Sequence, residues 1–320
     1  MAGTFRTMKH FHIFLNPQSG QKKSHQVWLK LQSLWQHNHF QYTLTEIFNS
    51  SSVQSVINTL DFTQTDGIII LGGDGTVYHL VNHLMNRPDW EKVIKIPLGI
   101  IPTGTNNGLA KTLLEFSPNP DLIEAAIDLI FQGKTQPLDF VKIQQSGRVY
   151  YSLLSIAWGL ISDVDIESEK LRFLGKIRTD IYAILRILNL RKYPGHFSFL
   201  PVNSQQWQTF TDQFILIWAM NVPWADSTMK AAPGINIDDG AMQVLIVREG
   251  ISRRQLISAF LKLATGEHLC CPQIESYQVQ QFRLEPLSQN GIIAVDGEPV
   301  QYAPIEVEIL PQIGRVFGHK

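Results

Sequence analysis

Hydrophobic positions in the first 135 residues alternate between two periods. Residues 10–15 read as a strand, and Asn16-Pro17-Gln18-Ser19-Gly20 as the loop that follows it. Val27, Trp28, Leu31, Leu34 and Trp35 then recur at helical spacing. Residues 42–48 form a second predicted strand, and Val53, Val56, Ile57 and Leu60 mark a second helix. Residues 68–71 are short and continuously apolar, as a parallel strand covered on both faces is. Val77, Leu80, Val81, Leu84 and Met85 return to helical spacing, and residues 97–101 read as a fourth strand. Leu109, Ala110, Leu113 and Leu114 mark a fourth helix, and Leu122, Ile123, Ala126, Ile127 and Ile130 a fifth. This alternation predicts an α/β domain with a parallel, doubly wound sheet. Ligands of such sheets bind beyond the carboxyl ends of the strands, so the loops at 16–23, 72–76 and 102–107 are the places to look for chemistry.

After Pro137 the rhythm changes. Strand-like runs dominate, at 138–143, 149–158, 196–200, 209–222, 241–247, 278–284, 291–295 and 305–310. Turn signals separate them, among them Gln145-Ser146-Gly147, Asp238-Asp239-Gly240 and Asp296-Gly297. Helical segments interrupt, one or two over 163–190 and another over 252–263. The second half therefore predicts a mainly antiparallel β domain, a β-sandwich, over 138–304, behind an α/β domain over 1–137.

Composition narrows the classes of function. Apolar residues make up 44% of the 320 residues, enough for two cores. Charged residues reach only 17%, below the ~25% usual for soluble domains, which suits contact with an apolar ligand or a membrane. Lys+Arg 27 against Asp+Glu 28 gives a net charge of −1, so charge supports neither a nucleic-acid partner nor a polybasic membrane anchor. Cys270 and Cys271 are neighbours, which excludes a disulfide framework and a cysteine zinc site. Reduced thiols, no signal-like apolar run near the start and no stretch long enough to span a bilayer predict a cytoplasmic protein, peripheral at membranes.

Gly72-Gly73-Asp74-Gly75-Thr76 lies between a buried strand and an amphipathic helix. Glycines let a backbone approach a ligand closely, and a helix start offers N–H groups to phosphate. An aspartate there repels phosphate, but it makes sense as a group that takes a proton from an attacking hydroxyl. The plainer reading is a tight turn with Asp74 as helix cap. Pro102-Thr103-Gly104-Thr105-Asn106-Asn107 occupies the same place after the next strand, where the plainer reading is again a capped turn. Two such loops on adjacent parallel strands converge on one crevice, which favours phosphate binding.

These two loops resemble the catalytic region of the diacylglycerol kinase and sphingosine kinase superfamily. The runs Asn82-His83-Leu84-Met85-Asn86-Arg87-Pro88-Asp89-Trp90-Glu91 and Ala294-Val295-Asp296-Gly297-Glu298 resemble the sphingosine kinase branch. So does the block from Ser155 to Lys170, which contains Trp158-Gly159-Leu160-Ile161-Ser162-Asp163-Val164-Asp165. The resemblance implies a lipid kinase that uses ATP with Mg2+, and a last strand, at about 305–320, that returns to the first domain. It makes Asp74 the general base. It assigns Asn16, Pro17, Gln18, Thr45, Gly73, Gly75, Gly104, Thr105, Asn106, Arg172, Arg178, Asp296, Gly297 and Glu298 to ATP, with Glu298 toward magnesium. Many relatives carry Arg where Gln18 stands, for which Lys22 or Lys23 offers compensation, and the family's usual Glu five residues after the base is here His79.

The resemblance also selects a lipid. A sphingoid base bears an ammonium beside the hydroxyl to be phosphorylated, and diacylglycerol does not. Asp165 matches the position that pairs with that ammonium, and Asp163 is its decoy two residues away. Gly72 and Ser155 are expected near the lipid headgroup, and Leu160, Ile161, Val164, Phe260 and His268 along the tail, where a plain core role competes for each. The expected partners are a sphingoid base and, transiently, a membrane surface; a homodimer stays open. The competing readings are a kinase of diacylglycerol or a related glycerolipid, and a lipid-binding protein with a weakened kinase site. Asp238-Asp239-Gly240 resembles a stretch that helps hold a structural metal in bacterial relatives, with a simple turn as the alternative.

Overall fold

The computed structural model describes residues 9–37, 40–48, 50–174 and 177–319, without the side chains of 21, 22, 50–52, 172–174 and 177. The chain divides into two compact units. One holds the residues up to Pro137 together with Ile313–Lys320, and the other is Leu138–Gln312.

In the first unit β1 (His10–Leu15), α1 (Lys23–His37), β2 (Gln41–Glu46), α2 (Ser50–Ile57) and β3 (Gly67–Gly72) follow one another. Then come α3 (Asp74–Met85), α4 (Trp90–Val93), β4 (Leu98–Pro102), α5 (Gly108–Leu113) and α6 (Leu122–Gln132). The four strands pair in parallel in the order β2-β1-β3-β4. Val316, near the end of the chain, adds a parallel bridge to Leu98. All six positions of β3 are buried, which is why its run of Ile68, Ile69, Ile70 and Leu71 shows no alternation. Trp28, Leu31 and Trp35 of α1 and Ala126, Ile127 and Ile130 of α6 share one core with Phe11, Ile69 and Phe317. Phe11 meets Trp35 edge-on at 5.3 Å. Each such buried side chain is worth about 1.5–3 kcal/mol. Asp121 caps α6 by accepting from the N–H groups of Ile123 and Glu124, and Gly133 at φ 70° ends it.

The second unit takes up β5 (Thr135–Gln145), β6 (Arg148–Ser152), β7 (Ser155–Gly159), α7 (Leu160–Glu167), a 3-10 segment at Ser168–Leu174 and α8 (Ile177–Leu188). It continues with β8 (Tyr193–Pro201), β9 (Gln208–Met220), β10 (Met242–Arg248), α9 (Arg253–Leu261) and β11 (Ile274–Pro286). It ends with β12 (Ile293–Val295), β13 (Glu298–Val300) and β14 (Ile305–Phe317), the last of which runs on into the first unit. In this unit β9 runs antiparallel beside β7, β8 and β10, and β11 antiparallel beside β8, β10 and β14. Phe197, Phe199, Phe214, Phe282 and Trp158 fill the core these long strands share.

The mainly antiparallel second half and the parallel first half agree with the hydrophobic pattern. The run 149–158, read as one strand, is two. It breaks at Leu153 and Leu154 because the N–H groups of Leu153, Leu154 and Ser155 turn to the carboxylate of Asp296. The segment 163–190 is two helices joined by the 3-10 segment, and α4 and β13 are too short to show a period.

Candidate active site

In the first unit three loops meet at the carboxyl ends of β1, β3 and β4. Gly72 pairs with Pro102, and the N–H of Thr103 donates to the Gly72 carbonyl at 3.0 Å. A Cβ on Gly104 would lie 2.4 Å from the Cα of Gly73, and one on Gly73 2.9 Å from the Cα of Gly104. The two loops thus touch backbone to backbone, and no other residue type fits at either position. Gly20, at φ +54°, lies as close to the Thr103 carbonyl oxygen, where a Cβ would stand 1.7 Å away. Asn16 ties the first loop in: its Nδ2 donates to Thr76 Oγ1 at 2.9 Å and its Oδ1 accepts from the Gln18 N–H at 3.0 Å.

Asp74 is the first residue of α3, after Gly73. Its carboxylate caps a different helix, accepting from the N–H groups of Gly108 (2.9 Å) and Leu109 (3.3 Å) at the start of α5. Asn107, left-handed at φ 56°, closes the adjoining loop through both of its amide atoms, at 3.0 Å and 2.9 Å from Gly104. Asn107 and Thr76 carry this geometry, and the sequence reading gave them no role. A signal for Asn107 was there, since Asn is one of the few residues besides Gly that visits the left-handed region routinely. Thr105, Asn106 and Gln18 are exposed, while Pro17, Gly75 and, on β2, Thr45 are half-buried. His79 is half-buried on α3, and burial lowers its pKa below the usual imidazole value. Lys23 is exposed, and the Lys22 side chain lies outside the described residues.

In the second unit Gly159 turns β7 into α7 at φ +87°, and a Cβ there would meet the Ile215 carbonyl oxygen at 2.4 Å. Leu160 and Val164 are buried and Ile161 is half-buried. Asp165 is half-buried on the same helix. Desolvation, and secondarily the charge of Asp226, push its pKa up to about 7 against the opposing pull of Arg178. Among the described residues no group donates a hydrogen bond to the Asp165 carboxylate. Asp163, two residues earlier, is buried and accepts from Arg186 and from the Tyr193 hydroxyl. It is therefore spent on structure.

Arg178 pairs with Glu169. The Arg172 side chain lies outside the described residues. Burial, and then the charge of Glu169, raise the pKa of Glu298. The resemblance assigns Asp296 to ATP, and the structure gives its carboxylate another use. The carboxylate accepts from Ser152 Oγ and from the N–H groups of Leu153 (2.9 Å), Leu154 (3.0 Å) and Ser155 (2.9 Å). Its acceptor capacity goes into holding that bend, and Gly297 at φ +81° completes the turn. Phe260 is half-buried on α9, and His268 is a core histidine whose Nε2–H donates to the Ala231 carbonyl at 3.0 Å.

Among the described residues no three His, Cys, Asp or Glu side chains are grouped to hold a metal ion. Asp239 accepts instead from the N–H groups of Asn236 and Ala241 inside its own turn. Magnesium that travels with nucleotide phosphates needs only one or two protein carboxylates, and Glu298 is the remaining acid of the Asp296 turn.

Two family models cover most of the chain: the diacylglycerol kinase catalytic domain over residues 10–143 and the YegS C-terminal NAD kinase beta sandwich-like domain over 155–318. A solved diacylglycerol kinase structure from Bacillus anthracis shares the fold at a TM-score of 0.66, with 18% identity over 97% of each chain. A second structure from the same organism reaches a TM-score of 0.73 at 23% identity, over 100% of this chain and 98% of that one. Fold and family together define an ATP-dependent lipid kinase. The chain is 30% identical to sphingosine kinase 1 of Homo sapiens over 93% of its own length and 88% of that protein's. It is also 30% identical to sphingosine kinase 1 of Arabidopsis thaliana, over 91% and 68%. It belongs to the diacylglycerol kinase catalytic-domain family, in which sphingosine kinases are among its relatives.

Proposed function

We propose that the protein transfers the γ-phosphoryl group of ATP to the primary hydroxyl of a sphingoid base, giving the 1-phosphate. The observation that carries the choice of lipid is Asp165, a half-buried carboxylate with a raised pKa and no hydrogen-bond donor among the described residues. An ammonium beside it regains the ionised form that desolvation disfavours. A neutral glycerolipid leaves that cost uncompensated. The sphingosine kinases at 30% identity support the same choice.

Phosphoryl transfer asks the protein mainly for position and charge. The N–H groups at the start of α3 and in loop 103–107 receive the phosphates. The hydroxyl oxygen attacks the γ-phosphorus, the bond to the β–γ bridging oxygen breaks, ADP leaves, and the hydroxyl proton passes to the Asp74 carboxylate. The N–H groups of Gly108 and Leu109 hold that carboxylate in one orientation, so it meets the hydroxyl without reorganising. Glu298 would hold magnesium that arrives with ATP, and the ion would neutralise phosphate charge there. Arg172 and Arg178 suit the phosphate oxygens through their planar guanidinium forks.

The test is transfer of labelled phosphate from ATP to sphingosine, dihydrosphingosine, ceramide and diacylglycerol, side by side. Wild type should label the two free bases. Asp165→Asn should lose most of that activity, and faster labelling of diacylglycerol by wild type overturns the choice.

A further inference from the structure

The chain holds two cysteines, and they are neighbours. A free cysteine is normally among the most buried of residues. Here neither thiol belongs to a core: Cys270 is exposed and Cys271 half-buried. They close the 3-10 turn Glu267–Cys270, which lies between α9 and β11. The turn is pinned at both ends. Gly266 enters it in the left-handed region at φ +79°, and Pro272 keeps Cys271 extended at φ −77° and ψ 117°. The Cys271 N–H donates to the His268 carbonyl at 3.0 Å. The Cys271 thiol donates to Gln273 Oε1 at 3.3 Å, an oxygen that also accepts from Gln255 Nε2 at 2.9 Å. Gln255 Oε1 in turn accepts from the N–H and hydroxyl of Ser252, the cap of α9. The thiols thus sit at one end of a hydrogen-bonded chain that reaches the start of α9.

We propose that Cys270 and Cys271 form a reversible covalent modification site, which a peroxide closes to a disulfide within this turn. A solvent-accessible thiol beside a resolving thiol is the arrangement that senses peroxide. The Cys270 sulfur attacks one peroxide oxygen and the O–O bond breaks. Cys270 becomes a sulfenic acid, and its thiol proton joins the departing hydroxide as water. The Cys271 sulfur then attacks the sulfenic sulfur, the S–S bond forms, and the S–O bond breaks to release a second water. The two thiols together lose two electrons, and the peroxide is reduced to two waters. Consecutive Cα atoms lie ~3.80 Å apart, closer than the ~4.4–6.8 Å that a relaxed disulfide spans. The bond is therefore strained, and a dithiol reductant reopens it readily. Closure twists the peptide whose N–H bonds the His268 carbonyl, and it removes the S–H that bonds Gln273. His268 is buried with its Nε2–H on the Ala231 carbonyl, so the loosened turn pulls on a residue given to the lipid tail. In that last respect the inference rests on the proposed sphingoid base activity.

Two readouts on the full chain separate the inference from that activity. The first is intact mass after hydrogen peroxide and then N-ethylmaleimide, which is unambiguous in a chain with two cysteines. Wild type should lose two hydrogens as a monomer and take up no maleimide, and dithiothreitol should restore both maleimide sites. Cys270→Ser and Cys271→Ser should form no internal bond. Phenylarsine oxide, which bridges two thiols with loss of water, should bind wild type once and leave either variant on dilution. Covalent dimers or sulfinic acid as the main wild-type product overturn the site, as does an arsenical that the single variants hold equally well. The second readout is activity. On oxidation KM for sphingosine should rise about fivefold, the weight of one lost hydrogen bond, and return with dithiothreitol. Peroxide should leave KM unchanged in the double variant Cys270→Ser/Cys271→Ser. An oxidised wild type with unaltered KM overturns the link to the lipid. A reduced wild type inactive on sphingosine refutes the substrate, while mass still decides the site.

Discussion

The glycine-loop region of the first unit and the α7–α8 region of the second each set an acidic side chain, by different means. Around Asp74 the means is backbone. Gly73 lies on Gly104, Gly20 lies on Thr103, and the carboxylate is aimed by two N–H groups. Around Asp165 the means is charge. Asp163, Glu167, Arg186 and Arg191 form an ion-pair cluster, and Asp165, on the same helix, is left to the opposing fields of Asp226 and Arg178. Backbone contacts tolerate almost no change of residue size, whereas charge contacts tolerate size and depend on who else is buried nearby. The first region should fail by steric clash and loss of rate, the second by altered affinity and pH response.

The sharpest break is at Asp74. Asp74→Asn keeps an oxygen for the α5 cap, so the fold should survive while kcat falls by about 10²–10⁴, with a modest change in KM, read by steady-state kinetics. A rate equal to wild type removes the base assignment. Next is Asp296→Ala, which leaves three N–H groups and the Ser152 hydroxyl without their acceptor. At about 1–3 kcal/mol for each stranded group, a loss of about 3 kcal/mol or more should appear as a lower urea midpoint. Gly104→Ala drives a Cβ into Gly73 and should cost about 1–3 kcal/mol, together with a raised KM for ATP.

The smallest effect belongs to the second region. Asp165→Asn should raise KM for sphingosine about tenfold, or 1.4 kcal/mol, and spare diacylglycerol. Its pH behaviour follows from the raised pKa. Above the unfolded value of 3.8 the unfolded chain has released the proton that the folded chain keeps up to about 7. Stability from this group is therefore present at low pH and is lost as pH rises through that window. Asp165→Asn should gain on the order of 1 kcal/mol over wild type at pH 8, a figure discounted for partial exposure, and the gain should vanish near pH 4. Denaturant titrations at both pH values check the sign. Wild-type KM for the cationic lipid should fall as pH rises through about 7, since Asp165 pairs with the ammonium only when ionised.

The first region was readable because period and composition act locally there. Continuous burial of β3 shows as an unbroken apolar run, and glycines at 72, 73 and 104 announce close backbone approach. What escaped was the target of each side chain. The plain reading made Asp74 a cap of its own helix, and it caps α5, 34 residues on. Asp296 read as a turn acid for nucleotide, and it binds a bend 141–144 residues earlier in the chain. Leu153 and Leu154 look like strand residues in sequence because nothing local says that a distant carboxylate will claim their N–H groups.

Sequence by itself determined the parallel α/β half, the antiparallel half and the glycine loops at the carboxyl ends of the parallel strands, since each depends on side chains a few positions apart along the chain. Only the tertiary structure decided that Asp163 is spent on structure while Asp165 carries a raised pKa, and that α8 turns its leucines outward. The reason is physical: burial and the fields of Arg186, Tyr193, Asp226 and Arg178 come from residues far away in sequence. Those fields act through space, and the order of residues does not fix the distances.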